Sequence, residues 1–244
     1  MQIGMVGLGR MGTGIAERLL DDGHEVAAFD TDQAAAARIR SLGAVASHSL
    51  EELVPAVRPP RAIWLMLPCG DPVDRTVERL AELLSPGDVV VDGGNSFYRD
   101  DIRRAGMLMA RGILYADAGV SGGIRGRETG YAIMVGGEKR AVNMISPALD
   151  SLAAPGGWVQ CGPVGAGHYV KMVHNGIEYA LMEAYGEGLE LLKESPFLDS
   201  IDLGRVIEVW NGGSVIRSWL LELDWCALEN DPGLDMIEGR VDDT

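Results

Sequence analysis

The stretch QIGMVGLGRMGTGIAERLLDDG, residues 2–23, constrains the fold of this chain more than any other. A short apolar strand, QIGMV, runs directly into Gly7, Gly9 and Gly12 of a GxGxxG turn, and an amphipathic helix follows. Glycines at these spacings allow a tight turn and let an anion approach the helix N-terminus, where free N–H groups and the helix dipole favour negative charge. A glycine-rich turn that binds nothing is the plain alternative, but strand, turn and helix in this order point to a dinucleotide pyrophosphate. The candidate cofactor loop is Gly7, Leu8, Gly9, Arg10, Met11 and Gly12. The next strand, HEVAAFD, ends in Asp30, placed to accept hydrogen bonds from both ribose hydroxyls of NAD. Asp30 would repel the 2′-phosphate of NADP, and neither Thr31 nor Asp32 compensates. Arg10 in the loop keeps NADP possible.

The alternation continues through residue 153. AIWLMLP, DVVVDGGNS, ILYADAGVSGG and YAIMVGG read as strands, and DPVDRTVERLAELL, DDIRRAGMLMARG and KRAVNMISPALDSLA read as helices. This pattern predicts an α/β fold, a doubly wound, Rossmann-type, mostly parallel sheet with helices on both faces. Ligands of such sheets sit beyond the carboxyl ends of the strands, where two turns fall. One offers Asn95 and Ser96 after Gly93 and Gly94; the other offers Ser121 with the N–H groups of Gly122 and Gly123, a candidate carboxylate cradle. Gly, Asn and Ser also dominate ordinary turns.

After Cys161-Gly162-Pro163 alternation gives way to helices, so residues 1–163 read as a dinucleotide-binding domain and residues 164–244 as an all-helical one. The helix over about 167–193 carries Lys171, His174, Asn175, Glu178 and Tyr179 on one stripe, at offsets of three, four, seven and eight. The opposite stripe, Val173, Ile177, Ala180, Leu181 and Ala184, is expected to face a core. A polar stripe can simply face water; this one mixes residue types suited to a pocket. Two further helical patterns follow, IDLGRVIEVWNGG and SVIRSWLLELDWCALEND.

Composition narrows the partners. Net charge is −15, and residues 164–244 hold five Lys/Arg against sixteen Asp/Glu, or −11 of that total. This balance argues against nucleic acid and anionic membrane surfaces. No apolar run approaches the ~18 residues of a membrane span, and no leader sequence is expected at the N-terminus. Cys69, Cys161 and Cys226 form no CxxC pattern, and the four histidines show no metal spacing, so reduced thiols, no metal and a cytoplasmic location are expected.

GLGRMG, DGGNSFYRDD, DAGVSGGIRGRETG, GAGHYVKMVHNGIEYALMEAYGEG and VWNGGSVIRSWLL occur in this order along the whole chain. Together they resemble the decarboxylating 6-phosphogluconate dehydrogenase family in its shorter bacterial form. The resemblance implies oxidative decarboxylation of 6-phospho-D-gluconate to D-ribulose 5-phosphate and carbon dioxide, a step of the pentose phosphate pathway, with NAD or NADP reduced. It implies Lys171 as general base at the carbon-3 hydroxyl and Glu178 as the acid that protonates carbon 1 of the enediol. His174, Asn175 and Asn95 match substrate-orienting groups, Asn95 at the cofactor as well. Ser121, Gly122 and Gly123 match contacts to the substrate carboxylate, and Tyr179 and Arg217 contacts to the 6-phosphate. A salt bridge to a neighbouring acid is the alternative for Arg217.

The family also forms its helical core across subunits, and Trp210, Trp219, Leu220, Leu223 and Trp225 are many bulky groups for about eighty residues. A homo-oligomer, dimer or tetramer, is therefore expected. Two departures bear on the phosphate site: the sequence ends at GRVDDT, where family members carry further basic residues, and Asn211 stands where arginine is common. Two other readings remain. A 3-hydroxyisobutyrate-type dehydrogenase would share the glycine loop, VSGG and the helical lysine, but not HN after KMV or DGGNSFYRD. A catalytically incomplete nucleotide-binding protein is the other.

Overall fold

A computed structural model describes residues 1–197, 200–232 and 236 of the chain; residues 239–244, GRVDDT, lie outside the described residues. It contains two compact units, Met1–Val173 and His174–Thr244. In the first, strands β1 (Gln2–Val6), β2 (Glu25–Phe29), β3 (Val45–Ser47), β4 (Ala62–Leu65), β5 (Val89–Asp92), β6 (Leu114–Ser121), β7 (Tyr131–Gly137) and β8 (Ala153–Gly162) form one sheet. Their order is β3-β2-β1-β4-β5-β6-β7-β8, parallel throughout except that β7 runs antiparallel to β6. Helices α1 (Arg10–Asp21), α2 (Gln33–Ser41), α3 (Leu50–Ala56), α4 (Asp71–Leu83), α5 (Tyr98–Met109), α6 (Gly126–Thr129) and α7 (Lys139–Leu152) connect the strands. The doubly wound, mostly parallel sheet matches the expected fold class.

The short apolar runs IGMV, AIWL and VVV are buried on both faces, as central parallel strands require. Alternate residues feed two cores. Val89 and Val91 pack on one face with Ile15, Leu19, Ile145 and Leu149; Val90 packs on the other with Val73, Val77, Leu80 and Leu108. All eleven are 0% exposed, and each such side chain contributes about 1.5–3 kcal/mol. Deep burial of these three strands fixes the sheet on which the ligand-edge turns are mounted.

Elements absent from the sequence reading are α2, β3, α3 and β8. The last extends the sheet by pairing with β7, and its register shifts near Tyr131/Ile133 and Val135/Gly136 blur the alternation that would have announced it. Helix α8 (Ala166–Lys193) follows. Its start is held by Asp117 on β6: Gly165 N–H donates to Oδ1 at 2.6 Å and His168 N–H to Oδ2 at 2.9 Å. A buried carboxylate thereby satisfies N–H groups that every helix start leaves open.

The second unit contains α9 (Leu203–Gly213) and α10 (Trp219–Asn230). The sequence pattern let the last helix begin at Ser214. In the structure α9 ends at Gly213, with Ser214 as its C-cap, and Ser218 caps α10 through Leu221 N–H, so residues 214–218 form a turn. The core of this unit is small, Leu203, Ile207, Leu221 and Leu228, with Tyr185, Leu189, Leu192, Trp210 and Trp225 packed against it.

The expected apolar stripe of α8 departs from the sequence reading. Val173, Ile177, Ala180, Leu181 and Ala184 are all exposed, while Lys171 is buried and His174, Asn175 and Glu178 are intermediate. The physical reason is that the helical core engages later turns of α8, from Tyr185 onward, and leaves the earlier apolar face uncovered. Trp219 and Leu223 are exposed as well.

The entry of α8 depends on contacts without side chains. A Cβ on Gly167 would lie 2.4 Å from Met134 O and 2.7 Å from Gly136 N. Gly167→Ala should therefore destabilise the first unit by about 1–3 kcal/mol, the usual cost of overpacking a well-packed site. Thermal unfolding of the variant checks this, and an unchanged melting temperature would contradict it.

Candidate active site

The glycine loop divides its work among three positions. Gly7 has φ +93, and a Cβ there would meet Met66 O at 2.2 Å. Gly12 is buried in α1, where a Cβ would sit 2.2 Å from Gly7 O. Gly9, the N-cap of α1, is exposed and has nothing within 4 Å of a Cβ, so open space adjoins the helix start. No acidic residue occupies the first turn of α1, leaving its dipole free to act on an anion. Leu8 is buried, and Met11 packs partly against the core.

A cavity of about 700 Å³ adjoins this loop, lined by Leu8, Gly9, Arg10, Thr13, Asp30 and Arg38 among others. Asp30 stands at its edge. Its Oδ2 accepts from Leu8 N–H at 2.5 Å and its Oδ1 from Asp32 N–H at 2.7 Å. The carboxylate thus orients the glycine loop as well as facing the cleft. Arg38 and Arg127 also line the cavity. The sequence reading considered only Arg10 as a base near Asp30, because Arg38 lies on a helix it did not identify.

The DGGNS turn follows β5. Gly93 and Gly94 are there for packing: a Cβ on Gly93 would be 2.1 Å from Trp64 Nε1, and one on Gly94 2.8 Å from Leu67 O. Asn95 is exposed at the tip, whereas Ser96 is buried and donates to Asp92 Oδ2 at 2.7 Å. Asp92 also accepts from Gly94 N–H at 3.1 Å and from Arg104 Nη1 at 3.1 Å. Arg104, fully buried, reaches Asp74 Oδ1 through Nε at 2.7 Å.

His168, on the first turn of α8, belongs to the same cluster. Its Nδ1–H donates to Asp101 Oδ2 at 2.7 Å and its Nε2–H to Gly94 O at 3.1 Å. A doubly protonated ring serves both partners at once. Burial opposes that charge, but the hydrogen bond and charge of Asp101, with Asp92 and Asp117 beside it, prevail and raise the pKa to about 9. Tyr115 donates to Asp101 Oδ1 at 2.8 Å, and burial holds its phenol well above the ordinary range. Burial likewise pushes the Asp92 and Asp117 carboxyls up. Asp92, Asp101 and His168 present atoms within 4.8 Å of one another. The positive charge among these carboxylates comes from Arg104 and the His168 imidazolium.

Lys171 lies one turn beyond His168 and is 9% exposed. Its stem rests on β6, where a Cβ on Gly119 would be 2.4 Å from Lys171 Cβ. At the end of β6, Ser121 is partly buried, and Gly122 and Gly123 have φ of +126 and +52. Gly123 has open space beside it, which leaves its backbone accessible. The first unit thus holds Asn95, Ser121, Gly122, Gly123 and Lys171 on the ends of β5 and β6 and on α8.

The second unit carries the remaining residues. His174 Nδ1 lies 3.5 Å from Glu178 Oε2 and 3.3 Å from Asn175 Oδ1. Glu178 has a side chain 39% exposed, and Tyr179 is 64% exposed. Arg217 is exposed and makes no ion pair among the described residues, so the salt-bridge alternative finds no support there. Asn211 Oδ1 accepts from Ser218 N–H at 3.2 Å and braces the turn before α10. No described helix is long and apolar enough to cross a membrane.

Fold and glycine loop define a nicotinamide-dinucleotide-binding oxidoreductase. Residues 2–167 match the NAD binding domain of 6-phosphogluconate dehydrogenase, and residues 167–238 match its C-terminal domain. The chain belongs to the 6-phosphogluconate dehydrogenase family. It is 48% identical over 244 residues to a NAD(+)-dependent, decarboxylating 6-phosphogluconate dehydrogenase of Haloferax volcanii, covering 100% of this chain and 79% of that one. Among solved structures, 6-phosphogluconate dehydrogenase of Plasmodium falciparum is similar with a TM-score of 0.86 at 28% identity, over 97% of this chain and 54% of that one. That enzyme was solved with NADP+ and with 6-phosphogluconate. A 3-hydroxyisobutyrate dehydrogenase of Mycobacterium tuberculosis is similar with a TM-score of 0.76 at 27% identity, over 89% of this chain and 72% of that one.

The His168 pKa gives a signed prediction. A histidine of ordinary pKa 6.5 raised to about 9 adds stability that is full below 6.5 and lost as pH rises through about 9. The melting temperature should therefore fall over that interval, and His168→Gln should flatten this part of the profile. Parallel profiles for the two proteins would contradict the assignment.

Proposed function

We propose that this chain oxidises and decarboxylates 6-phospho-D-gluconate to D-ribulose 5-phosphate and carbon dioxide. The observation that carries the reading is a buried Lys171 on the KMVHNGIEY helix, within a chain that belongs to this family along its length. Bound nicotinamide supplies the hydride acceptor. Lys171 takes the proton from the carbon-3 hydroxyl as hydride leaves, and then, protonated, polarises the resulting keto group while carbon dioxide departs. Glu178 delivers the proton to carbon 1 of the enediol. Asn95, His174 and Asn175 orient the sugar chain, and Ser121 with the Gly122 and Gly123 N–H groups receives the carboxylate. Tyr179 and Arg217 take the 6-phosphate, for which a guanidinium gives a bidentate grip. Residues 1–163 serve the cofactor, and residues 164–244 serve substrate and self-association.

The competing reading is a 3-hydroxyisobutyrate-type dehydrogenase, favoured by the similar fold of the mycobacterial enzyme. Release of carbon dioxide from 6-phosphogluconate with NAD separates the two. Lys171→Met should keep NAD binding and lose turnover by a factor on the order of 100 to 10,000, the usual scale for a positioned base. Near-normal turnover in the folded variant would remove Lys171 from the mechanism.

Asp30 favours NAD, because a 2′-phosphate would meet its carboxylate; Arg10 and Arg38 in the cavity work the other way. We expect higher kcat/KM with NAD, and a shift toward NADP in Asp30→Ser/Thr31→Arg. Equal use of both cofactors by the unmodified protein would show that the arginines prevail.

The exposed face of α8, with Val173, Ile177, Leu181 and Met182, supports a homo-oligomer, at least a dimer. Light scattering at micromolar concentration should give a mass above that of one chain; a monomer would refute the association.

A further inference from the structure

We propose that His168 is a positioning residue: its two ring N–H groups tie the turn bearing Asn95 to the helix bearing Lys171. The proposal rests on the reading of Asn95 and Lys171 as substrate-facing groups. Nε2–H holds the carbonyl of Gly94, the residue before Asn95, while Nδ1–H holds Asp101 on α5. Lys171 is three residues further along α8, on the same side of the helix. One imidazolium therefore joins three segments that the chain supplies from residues 94, 101 and 168.

The Asn95 turn has glycines at 93 and 94, and Asn95 itself is exposed. Asp92 anchors the turn from beneath through Gly94 N–H and Ser96 Oγ, and His168 anchors it through the Gly94 carbonyl. The groups facing the ring are Asp101 from α5, Asp92 from β5 and Asp117 from β6, with Arg104 on Asp92 and Tyr115 on Asp101. Lys171 is the nearest cation on its own helix in sequence. A ring that loses one proton can no longer donate to both Asp101 and Gly94; the remaining N–H stays with the carboxylate, the stronger acceptor, so the Gly94 carbonyl loses its donor while Asp92 still holds Gly94 N–H and Ser96.

Three readouts test this. Nitrogen-15 spectra of the full chain should show both His168 ring nitrogens protonated at pH 7.5; a single neutral tautomer there would overturn the proposal. Amide exchange in His168→Gln should quicken roughly tenfold or more at residues 94–95 with β1 and α1 unchanged, since a lost tie acts locally. Unchanged exchange at 94–95 would overturn it. Both measurements need no substrate, so they stand even if 6-phosphogluconate proves not to be the substrate.

In turnover of 6-phosphogluconate, His168→Gln should lose kcat/KM roughly 100-fold, the scale of a misplaced catalytic group, with the dissociation constant for NAD within about twofold. Asp101→Asn, which keeps the shape but removes the counter-charge, should move the alkaline loss of kcat/KM down by about one pH unit or more. A structural role alone would lower stability in both variants and leave that pH limb in place, which is the result that would refute positioning. If His168→Gln does not fold, Asp101→Asn and the ring spectra of the unmodified chain decide the question.

Discussion

Helix α8 meets the sheet with almost nothing between them. Gly167 leaves no room for a Cβ beside Met134 O and Gly136 N, Gly119 leaves room for the Lys171 stem, and Asp117 on β6 receives the first N–H groups of the helix. Each of these is a backbone-scale contact, so a shift of one residue along α8 would break all three together. Lys171 owes its depth to this seating. Its stem lies on β6 because Gly119 has no side chain there, and its burial follows from the approach of the two backbones.

The seating brings three carboxylates, Asp92, Asp101 and Asp117, into an interior that would reject any one of them alone. Isolated buried charges cost several kcal/mol each, and a buried network holds only when its members are paired and hydrogen-bonded. Arg104 and the His168 imidazolium supply positive charge, and Ser96, Tyr115 and backbone N–H groups fill further acceptor positions. In a chain of net charge −15, cations spent on the interior are not available for the surface. Their placement beneath the DGGNS turn is therefore a commitment of scarce charge to holding that turn.

Much of this was legible in the sequence, and the gaps have physical causes. The glycine loop, the parallel strands and the polar residues of α8 follow from local order and periodicity, which a buried βαβ unit must display. The short elements α2, β3 and α3 do not display it, because each buries only a few residues. His168 was visible as a histidine one turn before Lys171 on the same stripe, but its partners come from residues 94 and 101, and such pairing is a tertiary fact. The stripe of α8 misled for a related reason: helical periodicity says which residues share a face, not which chain or unit covers it.

The fold by itself does not separate the sugar-phosphate enzyme from the 3-hydroxyacid enzyme, since solved structures of both share this architecture. Discrimination must come from groups that a decarboxylating reaction needs and a simple hydride transfer does not. A second proton transfer, to carbon 1, requires an acid in addition to the base that serves the oxidation. Glu178 is the group available on the Lys171 helix, seven residues on, with His174 Nδ1 3.5 Å from its carboxylate. On the proposed reading, an acid and its histidine at i and i+4 on one helix form the part of this constellation that a hydride transfer alone gives no reason to build.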